Sequence, residues 1–79
     1  MLPAPREKVR SIVATITRQP VASLPDDAAI DLTPHWDSLA QLDILASVEQ
    51  EFGLMIGPEQ AVELTTLAAL ITFVQQHAR

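Results

Sequence analysis

The sequence predicts an all-α fold, a four-helix bundle of three longer helices and one short one, with a long loop between the first two. Three observations carry that expectation. Apolar residues recur at helical spacing in three separate stretches, helix start and stop signals bracket each stretch, and no β alternation occurs anywhere along the chain. The length of 79 residues, 48% of them hydrophobic, limits the chain to one small domain over residues 1–79. A domain of this size has no room for separate substrate and cofactor compartments, so function must come from one surface or one residue.

The first helix is expected from about Pro5 to Arg18. Val9, Ile12, Val13 and Ile16 fall at i, i+3, i+4 and i+7, Pro5 suits the first helical position, and Gln19-Pro20 stops it. Val21 to Asp37 lacks sustained periodicity and holds Pro25, Pro34 and several Asp, Ser and Thr, so it reads as a long loop pinned to the core by Leu24, Ile30 and Leu32. From Ser38 to Phe52 the helical period returns. Leu42, Leu45, Val48 and Phe52 form one stripe, and Leu39, Ile44 and Ala46 widen it into an arc that suits a central helix touching several neighbours. Gly53 supplies a left-handed stop, Gly57-Pro58-Glu59 starts a short segment ending near Leu64, and Thr66 caps a last helix. Leu67, Leu70, Ile71, Val74 and Ala78 form the apolar stripe of that helix, opposite Thr72, Gln75 and Gln76.

Composition excludes several function classes. Without cysteine there is neither a disulfide framework nor a thiolate metal cluster, and His35 and His77 have no third partner for a structural zinc site. The first residues lack the apolar core of a signal peptide and no apolar run is long enough to span a bilayer, so a cytoplasmic location is expected. Ten acids and five bases give a net charge of −5, unevenly spread. Asp26 to Glu63 holds nine acids and no Lys or Arg; the flanks hold five bases and Glu7, so −9 + 4 = −5. Such a field disfavours nucleic acid and anionic membranes and favours a basic protein patch.

The chemistry-bearing candidate is Asp37-Ser38-Leu39 at the loop-to-helix junction. Ser38 with Gln41 reads as Ser-x-x-Gln, a capping box, and a serine here is ordinarily only a cap. The same geometry suits a phosphate ester on the hydroxyl, because a helix N-terminus presents unpaired N–H groups and the positive end of the dipole. A catalytic triad of Ser38, Asp37 and His35 is rejected, since nucleophilic serines sit in Gly-flanked elbows with the base brought from elsewhere in the fold. Trp36 has two readings, an aromatic plug holding the loop on the bundle or a surface contact. His77 reads as a partner of the helix dipole or a solvated side chain.

Asp37-Ser38-Leu39, Glu49-Gln50-Glu51-Phe52-Gly53, Ile56-Gly57-Pro58-Glu59 and Leu64-Thr65-Thr66-Leu67 resemble the acyl carrier protein family in type and spacing, from about Val9 to Val74. The resemblance implies an acyl-carrier-like four-helix bundle and no catalysis by the chain itself. It implies 4′-phosphopantetheine esterified to Ser38 by a phosphopantetheinyl transferase, with Asp37 and Leu39 completing the recognition triplet and the arm's thiol holding an acyl group as a thioester. It further implies that Leu39, Leu42, Asp43, Ala46 and Glu49 meet acyl-loading and acyl-processing enzymes through their basic patches. Ile44, Val48, Ile56, Ala61, Leu64, Leu67 and Ile71 would be both core and acyl pocket. The chain departs from the family at Ala40 and Gln50, where acids are frequent, and at His35, where glycine is usual. The implied protein is a discrete monomer of fatty-acid, polyketide or related biosynthesis. An aminoacyl or peptidyl carrier, and an unmodified acidic interaction module, are the alternatives; Asp37 favours the acyl type.

Overall fold

The computed structural model describes residues 4–77. Helix α1 spans Pro5–Ile16, α2 Ser38–Phe52, α3 Pro58–Ala61 and α4 Leu67–His77, with a single 3-10 turn at Val21–Ser23 in the long loop. Among the described residues there is no strand, only one isolated antiparallel bridge between Ala29 and Thr66. The expected all-α bundle is therefore observed.

Helix α1 begins with Pro5, whose missing N–H is not needed in the first turn. It stops two residues before the expected Arg18. The Arg18 N–H donates to Thr15 O and the Gln19 N–H to Ala14 O, a Schellman closure that puts Arg18 at φ 61°. A left-handed arginine gives no sequence signal of the kind glycine gives, so the helix ends earlier than its residue types indicate. The Thr17 hydroxyl, fully buried, donates back to Val13 O at 2.7 Å.

The core joins Val9 and Val13 of α1, Leu24, Ala28 and Trp36 of the loop, Ile44 and Val48 of α2, Leu64, and Leu67, Leu70, Phe73 and Val74 of α4. Helix α1, not α2, is the central packing element, lying against both α4 and α2. Its contact residues Val9, Val13 and Ala14 are short, which lets two helices approach it closely. On α2 the buried stripe is Ala40, Gln41, Ile44 and Val48; Leu42, expected inside, is 64% exposed, and Leu45 and Phe52 are half-buried. The inward face is turned because Gln41, a polar residue, is drawn into the core by two hydrogen bonds described below.

The long loop is stitched to the start of α4 on both sides of the Ala29–Thr66 bridge, where the Ile30 N–H donates to Thr65 O at 3.0 Å and the Leu67 N–H to Ala28 O at 2.9 Å. Arg10 holds its other end, donating to Leu24 O at 2.6 Å and pairing with Asp26, which also meets Arg6. Leu24 is buried and Ile30 packs on the core, as expected, but Leu32 is 82% exposed. Leu32 lies in a tight arch closed by the Asp31 N–H on Trp36 O, and the ring that fills the space beneath is Trp36 instead.

Gly53 ends α2 in the left-handed region, φ 64°, with the Leu54 N–H donating to Glu49 O. Helix α3 is one turn with no buried residue, closed at its start by the Gly57 N–H on Gln60 Oε1. The Thr66 hydroxyl accepts from the Ala69 N–H at 3.0 Å and so caps α4 as expected. Thr72, Gln75 and Gln76 face solvent, Ile71 is half-buried, and Ala78 lies outside the described residues. His77 Nδ1 lies 2.9 Å from Phe73 O and its ring stacks on Phe73, so it serves the C-terminal carbonyls.

Because a Cβ at Gly53 would meet nothing within 4 Å, its substitution tests conformation without a clash. Gly53→Ala is expected to lower stability by about 1 kcal/mol through the left-handed backbone alone. A urea titration reads this as a lower midpoint with an unchanged slope; an unchanged midpoint would show that the turn relaxes without strain.

Candidate functional site

The loop enters α2 through Trp36 and Asp37. Trp36 is 1% exposed, so it is the plug, and its indole N–H donates to Gln41 Oε1 at 2.7 Å. The Gln41 amide also donates from Nε2 to Leu64 O at 2.6 Å, which satisfies both ends of a side chain carried inside the bundle. Asp37, in extended conformation, is the N-cap of α2, its Oδ1 accepting from the Ala40 N–H at 2.9 Å. Ser38 is the first helical residue, not the cap, and Gln41 takes no part in a capping box. In that position the carboxylate also complements the positive end of the helix.

The consequence for Ser38 is that its hydroxyl has no capping work. It is exposed, and among the described residues neither it nor the Ser38 and Leu39 backbone N–H groups have a hydrogen-bond partner. An exposed hydroxyl beside two open amides at the start of a 15-residue helix fits a phosphate ester. The arch in front of it is shaped by positive φ at Asp31 and His35, the Trp36 N–H on Thr33 O, and the Gln19 amide on Pro34 O at 3.2 Å.

Leu39, Leu42, Asp43 and Ala46 are all exposed on α2. Glu49 is half-buried, and its Oε2 accepts from the Ile56 N–H at 2.8 Å, tying the α2–α3 connection to α2. Ile44, Val48, Leu64 and Leu67 lie in the packed core, Ile56 and Ile71 are half-buried and pack against it, and Ala61 on α3 is half-buried. The surface also carries two grooves. One of about 780 Å³ runs between α1, the 3-10 turn and α2 beside Ile12, Ile16, Val21 and the Lys8–Glu51 ion pair. The other, about 370 Å³, lies by Leu64, Ala68 and Phe73.

Two roles escaped the sequence reading, Gln41 as a buried connector and Glu49 as a tether. A signal for the first existed, since Gln41, Ile44 and Val48 fall at i, i+3 and i+7 and so share one helix face. No spacing pointed to the second, because its acceptor role depends on a backbone N–H in a non-helical turn. Among the described residues no group of three His, Cys, Asp or Glu could hold a metal ion.

A family model described as the phosphopantetheine attachment site matches residues 7–74, which run from α1 to near the end of α4. The chain belongs to this family. Phosphopantetheine attachment-site domains carry 4′-phosphopantetheine covalently on a serine, and they act as carriers that meet a phosphopantetheinyl transferase and partner enzymes. This protein is accordingly a phosphopantetheine-carrying carrier protein. None of the helices described is long and apolar enough to cross a membrane.

The capping assignment has a direct test. Asp37→Ala should cost about 1 kcal/mol of stability while Asp37→Asn retains most of it. Ser38→Ala should stay within about 0.5 kcal/mol of wild type, as for an exposed side chain without partners. Urea midpoints in the reverse order would return the cap to Ser38.

Proposed function

We propose that the protein is an acyl carrier whose arm is attached at Ser38, and that it presents acyl intermediates to successive enzymes without catalysing a reaction itself. The observation that carries this reading is the unengaged hydroxyl of Ser38 at the first position of α2. Within the matched residues Ser11 and Ser23 are also exposed and Ser47 is half-buried, but Ser11 and Ser47 lie inside helices and Ser23 in the 3-10 turn. Ser38 alone among these four opens a long helix. When attached, the arm supplies a terminal thiol that holds the acyl group as a thioester.

The chain's own residues have three tasks in this reading. Asp37 holds the first turn of α2 in place, so that the Ser38 hydroxyl projects from a fixed point, and the Ser38 and Leu39 amides stand ready to donate to ester oxygens. Leu39, Leu42, Asp43 and Ala46 form the docking face, where apolar contact is joined to a negative charge suited to basic patches on the transferase and the acyl-processing enzymes. Glu49 stands at the edge of that face, with its carboxylate already engaged by Ile56. Ile44, Val48, Ile56, Ala61, Leu64, Leu67 and Ile71 would receive an acyl chain that enters by displacing α3, which, unlike α1, α2 and α4, has no buried residue. Asp37 supports acyl over peptidyl cargo, as the resemblance implies.

Incubated with coenzyme A and a broad-specificity phosphopantetheinyl transferase, the protein should gain the mass of one phosphopantetheine, and Ser38→Ala none. An unchanged wild-type mass with several active transferases would end the reading. A second measurement addresses cargo. Each methylene buried adds at most about 0.8 kcal/mol, so even at half that value a chain of about eight carbons raises stability by roughly 3 kcal/mol over the bare arm. Urea midpoints should rise with acyl length and then level off; a flat series would mean that the chain stays in water and would favour a short polar or aminoacyl cargo.

A further inference from the structure

Helix α2 fastens the segment that contains α3 at two points, and both fasteners are polar side chains. Glu49 Oε2 accepts from the Ile56 N–H at one end, and Gln41 Nε2 donates to Leu64 O at the other. Between these points no residue is buried. At the Leu64 end the fastening is shared with a second element, because the oxygen of the same Gln41 carboxamide accepts from the Trp36 indole N–H.

A carboxamide is planar and rigid, so its oxygen and its nitrogen cannot move independently. A turn of the carboxamide about its Cγ–Cδ bond carries Nε2 off Leu64 and Oε1 off Trp36 together. Both groups lie in the core, where an unmade hydrogen bond is costly, so the two bonds are favoured together or lost together. Trp36 in turn closes the arch before α2, its carbonyl accepting from Asp31 N–H and its own N–H donating to Thr33 O, two residues ahead of Ser38.

We propose that Gln41 is a positioning residue that couples displacement of the α3 segment to the junction carrying Ser38. Pushing Leu64 away from α2 breaks the Nε2 bond, turns the carboxamide, admits water to the Trp36 indole and loosens the arch from which Ser38 projects. A chain lodged between α2 and α3 is thereby registered at the attachment point, and a body that grips the arch is registered at α3, since such coupling is reciprocal. The inference rests on the proposed function only in naming an acyl chain as the wedge; the coupling is a property of the unmodified chain.

The test is therefore made on unmodified wild-type protein, by NMR hydrogen exchange at increasing low concentrations of urea. The Trp36 indole N–H and the Ala61 and Leu64 amides should exchange through one shared opening, with equal opening equilibria and equal urea slopes. Their protection should fall about tenfold or more below that of the Val13 and Ala14 amides of α1. Gln41→Glu keeps an acceptor for Trp36 but has no N–H for Leu64, so in it the segment amides should exchange faster while the indole no longer follows them. A residue with only a structural role would shift all these sites by one common factor. An indole that exchanges with the α1 amides while Ala61 and Leu64 open separately would overturn the coupling, as would all sites exchanging together at the level of α1. Should Gln41→Glu fail to fold, the wild-type comparison alone decides. Failure of Ser38 to be modified leaves this measurement intact, so the two ideas fail separately.

Discussion

Burying the Trp36 ring while satisfying its N–H is the constraint on which the rest of the arrangement depends. The indole fills the space under the long loop, but its nitrogen requires an acceptor inside the bundle, and Gln41 provides it. That choice brings a second obligation, the amide nitrogen of Gln41, which is met by Leu64 O. Two bonds thus tie the loop, α2 and the entry to α4 together, and they set which face of α2 turns inward. With Gln41, Ile44 and Val48 inside, Leu39 and Leu42 are left in solvent, and the start of the helix is held at the surface where Ser38 stands free.

The interior and the surface divide their stabilising interactions in a way that follows from this. Helix α1 and α4 meet through apolar side chains, and the loop's free edge is held by backbone bonds to Thr65 and Leu67. The described ion pairs bring bases of α1, Arg6, Lys8 and Arg10, to Asp26 and Glu51, so a share of the acidic span is compensated on that side. Exposed pairs of this kind add little stability, and their larger effect is on the field. Asp43, Glu59 and Glu63 stay exposed, and among the described residues none of them pairs with a base, so their charges add to the negative field of the span.

Much of this was legible in the residues. Helix α2 begins and ends where its signals place it, Gly53 is left-handed, Thr66 caps α4, and Leu24 is buried, because each rests on local chemistry that acts within a few positions. The misreadings share one cause, competition settled by distant contacts. Ser38 and Asp37 are both good caps, and which one serves depends on where the arch delivers the chain. Leu42 and Gln41 compete for the interior, and hydropathy favours the leucine until Trp36 and Leu64 are known to lie opposite the glutamine. Leu32 is displaced by a larger neighbour in the same arch, and Arg18 takes a conformation usually left to glycine as the chain turns so that the Arg18 and Gln19 N–H groups close the carbonyls of Thr15 and Ala14. The serine was legible as a candidate; its freedom from capping was not.

The exposure of Leu39, Leu42, Met55 and Val62 also bears on how the molecule behaves in concentrated solution. These side chains belong to the span that carries nine acids and no base, so two copies approaching through them meet like charge before apolar surface. The repulsion acts as a colloidal barrier that leaves the same side chains available to a cationic surface. Its range is set by ionic strength, and at high salt the barrier shrinks to a few ångströms, so crowding and precipitation at that face become matters of salt rather than of folding.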